Sequence, residues 1–156
     1  MAVNDFDGEF DFSQVVEDIF NKLNMHFETI KSDDTTVFLM PLSAKNAPSL
    51  NVKLYVFEND SMQVRSYLAK DVKDYQRNAI MSVINDLNIK YRYITLSIDD
   101  DGDVAAVYDS FKFVSEDETV LTKQLIRMLY TVSEVMDQCI PPIMKAIWST
   151  KKDEED

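Results

Sequence analysis

The sequence predicts an α+β domain of two layers, in which helices pack on an antiparallel sheet. Apolar residues recur at helical spacing near the start, the middle and the end of the chain, and the stretches between them alternate between apolar and polar residues, as strands with one buried face do. Short turn segments separate successive strand-like stretches, which favours antiparallel pairing. The predicted order is a helix, three or four strands, a helix, two strands and a final helix, written α-β-β-β(-β)-α-β-β-α.

The first half of the chain carries one predicted helix and the first group of strands. The helix is expected to begin after Asp11, whose carboxylate can cap it, and to end near Asn24. The strands are expected at Phe27 to Lys31, Thr35 to Leu42, Leu50 to Phe57 and Met62 to Leu68. The first of these is short, and it is either a true strand or an extension of the exit from the first helix.

The second half begins with a helix predicted from about Val72 to Leu87, with Asp71 as its cap. Two strands should follow, Ile89 to Ile98 and Val104 to Phe111, and the acidic turn between them contains Gly102, the residue best able to adopt a positive φ. The last helix is predicted to open with a capping box that starts at Ser115. The pair Pro141-Pro142 is expected to kink or restart this helix, because proline lacks the donating N–H.

Length and charge restrict the classes of protein to consider. The 156 residues suit one domain, expected at 11–150, with flexible acidic termini at 1–10 and 151–156. The net charge of −12 disfavours nucleic-acid and membrane partners and favours a basic or amphipathic peptide. Cys139 is the only cysteine, and the start of the chain does not resemble a signal peptide, so a cytoplasmic protein is expected.

The residues expected of an enzyme are scarce. The chain has only two glycines, which argues against the common phosphate-binding loops, and its one histidine, His26, would have to serve any imidazole chemistry alone. Asp99-Asp100-Asp101-Gly102-Asp103 does not match the ligand spacing of an EF-hand and is better explained as a hairpin turn. Cys139 lies in an apolar helical context that suits an inert thiol. We therefore expect no catalytic residues, no cofactor and no bound metal.

The second face of the predicted strands is the candidate binding surface. Tyrosine and arginine recur on it, and both are enriched at protein interfaces. The candidate partner-binding residues are Tyr55, Phe57, Arg65, Tyr67, Tyr91 and Tyr93. The alternative is an ordinary sheet face that is half-exposed or covered by a helix.

Three segments resemble the YbjN-like family of bacterial sensory transduction regulators. They are the helix end Ile84-Asn85-Asp86-Leu87-Asn88, the hairpin from Tyr91 to Phe111, and the last helix with Val135-Met136-Asp137 and Pro142-Ile143-Met144-Lys145-Ala146-Ile147. The resemblance implies a fold similar to that of type III secretion chaperones, which are small, acidic, cytoplasmic and usually dimeric. It also implies that Asn85 and Asn88 are structural, because they would cap the helix end and shape the entry to the hairpin.

These observations favour a non-enzymatic protein-interaction module, chaperone-like or regulatory, that binds a segment of a partner protein as a possible homodimer. The alternative is a sensory regulator that binds a small molecule between the sheet and the helices. A hydrolase or transferase built from carboxylates, tyrosine and lysine is the weakest of the three hypotheses.

Overall fold

The computed structural model describes residues 11–58, 61–111 and 117–151. The predicted element order is confirmed, including the short first strand. The elements are α1 (Phe12–Lys22), β1 (Glu28–Lys31), β2 (Thr35–Leu42), β3 (Leu50–Phe57), β4 (Ser61–Ala69), α2 (Asp74–Lys90), β5 (Thr95–Ile98), β6 (Val104–Phe111) and α3 (Glu118–Ser149). The expected flexibility of residues 1–10 and 152–156 lies outside the described residues, as does Ser115. The last helix begins at Glu118 with Asp117 as its N-cap, whose Oδ1 atom accepts hydrogen bonds from the N–H groups of Thr119 and Val120, so the cap predicted at Ser115 is wrong.

All six strands belong to one antiparallel sheet in the order β1-β2-β3-β4-β6-β5. The chain leaves β4, passes through α2 to the sheet edge at β5, and returns by a hairpin to place β6 beside β4. The inward-pointing residues are in register across the sheet, with Leu54 opposite both Phe38 and Val64, and Val64 opposite Tyr108. The fold is therefore two layers, with the helices packed on one face of the sheet.

Helix α1 begins where the sequence predicts. The Oδ1 atom of Asp11 accepts a hydrogen bond of 3.2 Å from the backbone N–H of Gln14, which satisfies a donor that the first helical turn leaves free. The helix stops at Lys22, and Asn24 then adopts a φ of +53°, a conformation that asparagine tolerates better than most residues. This turn leads the chain to the sheet edge at β1.

Three aromatic rings join α1 to β2 and to the residue that precedes β1. The ring centroids of Phe20 and Phe38 lie 5.5 Å apart in an edge-on arrangement, and Phe27 lies 5.6 Å from Phe20 and 5.8 Å from Phe38. Such tilted pairs contribute stability beyond the area that they bury. This cluster is part of one core, which also contains the buried side chains of α2 and α3.

Helix α2 differs from its prediction at both ends. Lys73 rather than Asp71 is the N-cap, and the Oε1 atom of Gln76 accepts a 3.0 Å hydrogen bond from the Lys73 N–H. Asp71 lies outside the helix with a φ of +54°. At the other end the helix continues to Lys90, so the following strand is shorter than predicted and begins only at Thr95.

Helix α3 continues through its two prolines as one helix, so of the two predicted outcomes, a kink or a restart, the restart does not occur. Pro141 has no N–H to donate to the carbonyl oxygen of Asp137, four residues earlier. That oxygen instead accepts a 3.2 Å hydrogen bond from the Nδ2 atom of Asn46, in the loop between β2 and β3. A contact with a distant loop therefore supplies the donor that proline removes.

Candidate functional site

The candidate site is the face of the sheet that points away from the helices, and we call it the open face. Along β2, β3 and β4 the side chains alternate between buried and partly exposed positions, and the buried ones join the helices in the core. No described helix packs on the partly exposed ones. The centre of the open face consists of Val37, Leu39, Lys53, Tyr55, Phe57, Gln63, Arg65, Tyr67, Ala105 and Val107.

Aromatic rings occupy the middle of the open face. The rings of Tyr55 and Phe57 stack with centroids 5.9 Å apart and an interplanar angle of 12°. The ring of Tyr67 lies under two ammonium groups, with its centroid 5.8 Å from the Nζ atom of Lys53 and 4.9 Å from that of Lys70. The face therefore presents rigid, amphipathic surface of the kind that protein interfaces favour.

Two cations face each other across neighbouring strands at the centre of this surface. Lys53 on β3 is directly opposite Arg65 on β4, an arrangement that costs stability because like charges repel. The Nε atom of Arg65 is buried and has no hydrogen-bond partner among the described residues. The nearby carboxylate of Asp109 instead accepts a 2.8 Å hydrogen bond from the Nε2 atom of Gln63.

The structure brings together four of the six predicted face residues. Tyr55, Phe57, Arg65 and Tyr67 lie on the open face, as described above. Tyr91 does not, because it is the C-cap of α2 and β5 begins only at Thr95. Its hydroxyl lies 3.0 Å from the Oε1 atom of Gln138 on α3. Tyr93 precedes β5 and is 59% exposed, outside the sheet pairing.

The predicted structural asparagines differ in their surroundings. Asn85 is exposed within α2, so it does not cap the end of that helix. Asn88 lies in the last turn, where its side chain accepts a 2.8 Å hydrogen bond from the backbone N–H of Leu96 and donates one of 3.1 Å to the carbonyl oxygen of Leu96. Asn88 thus satisfies both main-chain groups of a residue in β5, at the edge of the sheet.

Gly102 contacts the connection between β4 and α2. It has a φ of +83°, and a Cβ atom added to it would lie 2.4 Å from the carbonyl oxygen of Val72. Its own carbonyl oxygen accepts a 2.9 Å hydrogen bond from the Val72 N–H. Around it, the carboxylates of Asp99 and Asp103 accept backbone hydrogen bonds from Asp103 and Asp71 respectively. These two acids therefore order the turn.

The sequence reasoning missed a buried carboxylate, Asp137 on α3. Its two oxygens accept hydrogen bonds of 3.0 Å from the Lys45 N–H and 2.9 Å from the Asn46 N–H, which fix the β2–β3 loop against the helix. The signal available in the sequence was an acidic residue within the apolar stripe of α3, which indicates a buried carboxylate. Beside it lies a cleft of about 420 Å³, lined mainly by apolar surface from Leu42, Ala44, Leu129 and neighbouring residues.

The thiol of Cys139 is fully buried, and burial raises its pKa to about 11. It is therefore protonated at neutral pH and lacks the thiolate that nucleophilic chemistry requires. His26, the other residue considered for such chemistry, is exposed between α1 and β1.

Most of the chain matches the sequence model of one known family. The sequence model of the YbjN family, described as "Putative bacterial sensory transduction regulator", matches residues 13–144. The chain belongs to the YbjN family. No curated protein sequence matches it significantly.

Two solved structures share the fold of this YbjN-family chain. One is described as "Crystal structure of YbjN, a putative transcription regulator from E. coli"; it is 11% identical, covers 82% of this chain and 87% of its own, and has a TM-score of 0.58. The other is described as "Structure of the HopA1-SchA Chaperone-Effector Complex"; it is 14% identical, with coverages of 83% and 92% and a TM-score of 0.51. The predicted likeness to a secretion-chaperone fold is thereby confirmed. Within the described residues, no helix has the length and apolar character needed to span a bilayer.

Proposed function

We propose that this chain is a non-enzymatic, chaperone-like interaction module that holds a segment of a partner protein on the open face. The observation that carries the proposal is the open face itself, where Tyr55, Phe57 and Tyr67 lie beside two cations without a described helix above them. Amphipathic surface of this kind typically marks a site of protein interaction. The fold that this chain shares with a chaperone–effector complex supports a protein segment as the partner.

The two edges of the sheet differ in their ability to accept another strand. At β5, the side chain of Asn88 already engages both backbone groups of Leu96, so a partner strand would have to displace it. At β1, Ile30 is 54% exposed and lies on the same side of the sheet as Val37, opposite it in β2. We propose that a bound segment contacts the open face through its side chains and uses β1, not β5, for main-chain pairing.

A cytoplasmic location, a possible homodimer and a lack of nucleic-acid and membrane partners are parts of the same proposal. The single cysteine of the chain supports a reducing compartment, and the net charge of −12 opposes binding to phosphate backbones and anionic lipids. Sedimentation equilibrium of the full chain tests the dimer: a mass of one chain at micromolar concentration would contradict it.

Site-specific photo-crosslinking in cells tests the binding surface. A benzophenone amino acid replaces Tyr55 or Tyr67 on the open face, and Tyr130, an exposed tyrosine on α3, serves as the matched control. We expect protein adducts from positions 55 and 67 and few from position 130, because a bound segment covers only the open face. Adducts that form equally at all three positions, or at position 130 alone, would contradict the proposal.

The alternative function, a sensory regulator that binds a small molecule, is favoured by the cleft beside Asp137, whose volume of about 420 Å³ suits a small ligand. However, both oxygens of Asp137 already accept hydrogen bonds from the β2–β3 loop, which leaves less polar capacity for a ligand. A thermal-shift screen with metabolites separates the two functions. Stabilisation that the cleft substitution Leu129→Ala abolishes would support the sensor.

A further inference from the structure

The open face concentrates positive charge in a chain whose net charge is −12. Lys53 and Arg65 are cross-strand neighbours, and Lys70 reaches over the Tyr67 ring to within 4.9 Å of its centroid. The three cations thus surround one tyrosine-bearing part of the sheet, and we call them the cationic patch. The overall charge of the chain predicts a preference for basic partners, whereas the local positive charge of this surface favours an acidic partner.

The chain itself does not neutralise this patch. Among the described residues, no carboxylate oxygen lies within 4.0 Å of a charged nitrogen of Lys53, Arg65 or Lys70. Asp109, the acid nearest in register, is hydrogen-bonded to Gln63, and Glu28 lies two strands away from β3, on β1.

The guanidinium group of Arg65 is incompletely paired within the described residues. Its buried Nε–H has no acceptor among the described residues, and an unpaired buried donor costs free energy. A carboxylate is the acceptor that a guanidinium binds best, because two parallel hydrogen bonds can form. Because the Nε atom itself is buried, a carboxylate of another molecule would bind the terminal N–H groups of this guanidinium.

We propose that the partner segment held on the open face is acidic and amphipathic. Its carboxylates pair with the cationic patch, and its apolar side chains contact the rings of Tyr55, Phe57 and Tyr67. In an extended segment, side chains on one face recur about every 7 Å, so a segment with both acids and apolar residues among the side chains of that face can make both kinds of contact. This inference rests on the proposed function, since it specifies the chemistry of the segment bound there.

An acidic protein segment fits these charges better than a nucleic acid does. Each strand of a duplex carries a phosphate about every 3.4 Å along the helix axis, and such a continuous row of charge would extend beyond the patch over an otherwise acidic surface. The three cations of the patch can pair with a few carboxylates spaced along a protein segment. Nucleic-acid binding is therefore an outcome that would count against the proposal.

Fluorescence anisotropy with designed peptides tests the charge preference of the full chain. The peptides share one hydrophobic pattern, and their charged positions are all Glu, all Gln or all Lys. We expect the Glu peptide to bind tightest and to lose affinity as the NaCl concentration rises. Lys53→Gln and Lys70→Gln should each weaken the Glu peptide about two- to fivefold and leave the Gln peptide unchanged. Lys123→Gln, the same charge change at an exposed position on α3, should alter neither.

Each contrary outcome has a distinct meaning. Equal affinities for the Glu and Gln peptides, or an equal loss in the Lys123→Gln variant, would overturn the acidic preference. The proposed function would then still be judged by the crosslinks at positions 55 and 67. Binding of a single-stranded oligonucleotide more tightly than the Glu peptide would overturn the choice of a protein ligand. Circular dichroism melting of each variant confirms that the comparisons involve folded protein.

Discussion

The two faces of the sheet are built from alternate residues of the same strands, yet only one of them is covered. Phe38, Leu54 and Val64 are fully buried beneath the helices. Their sequence neighbours Tyr55 and Arg65 lie half-buried on the open face. The inner face contains little besides apolar side chains, whereas the open face combines stacked rings with opposed cations that cost stability. The residues that stabilise the fold therefore lie mainly on the inner face, whereas the composition of the open face suits contact with a partner protein.

Substitution at adjacent positions in β3 gives the largest contrast between the faces. Leu54→Ala should lower the free energy of unfolding by about 2–5 kcal/mol, because it leaves a cavity in a fully buried site. Tyr55→Ala should lower it by only about 1 kcal/mol, mainly through the lost stacking on Phe57. Urea denaturation of both variants measures the two effects. Equal losses would mean that the open face is part of the structural core.

The loop anchor at Asp137 tests whether the β2–β3 connection depends on α3. Asp137→Ala leaves the N–H groups of Lys45 and Asn46 without their acceptor and should cost about 2–4 kcal/mol. Glu134→Ala, one helical turn earlier and exposed, should be nearly neutral. Chemical denaturation gives the stabilities, and hydrogen exchange should show faster exchange at Lys45 and Asn46 in the first variant only. Unchanged exchange there would refute the anchor.

Two asparagines of α2 provide a matched pair for the β5 edge. Asn88→Ala removes both hydrogen bonds to the backbone of Leu96 and should cost about 1–3 kcal/mol. Asn85→Ala, at an exposed position of the same helix, should change stability by less than about 0.5 kcal/mol. Thermal unfolding followed by circular dichroism compares them. If Asn85→Ala were the more harmful change, the assignment of the structural role would be reversed.

The smallest effect concerns pH and the buried thiol of Cys139 on α3. Because burial raises the pKa of Cys139 from 9.0 to about 11, the folded state favours the protonated thiol. The stability from this preference is fully present below pH 9 and is lost as the pH rises through about 11. Unfolding titrations of the natural chain and of Cys139→Ala should therefore diverge above pH 9. Parallel curves would show that the thiol does not contribute.

Much of the sheet could be predicted from the sequence, because alternation is a local property. The bounds of β2, β3 and β6 match their predictions, and the buried sides of β3 and β4 are those expected. The end of α2 and the continuity of α3 could not be predicted. At both places a side chain is hydrogen-bonded to backbone outside its own element, Asn88 to Leu96 and Asn46 to the carbonyl group left free by Pro141, and the local pattern of the sequence does not reveal such contacts.

The candidate site was predictable only in part, for the same reason. The four face residues within β3 and β4 follow from alternation, and the structure places them together. Tyr91 lies off this face because the strand predicted from Ile89 begins only at Thr95, and Tyr91 is instead the C-cap of α2. Lys70 was missed because it lies just beyond β4, where its side chain returns over the Tyr67 ring. The roles of these residues in binding remain predictions.

The most direct measurement of the central claim is a map of amide chemical-shift changes when the crosslinked partner segment is added to isotope-labelled protein. The account predicts that the largest changes lie along β3, β4 and β6, including Lys53, Tyr55 and Tyr67, with little change at Tyr130 and Ser133 on α3. Changes concentrated at the α3 cleft, with the open face unaffected, would contradict it.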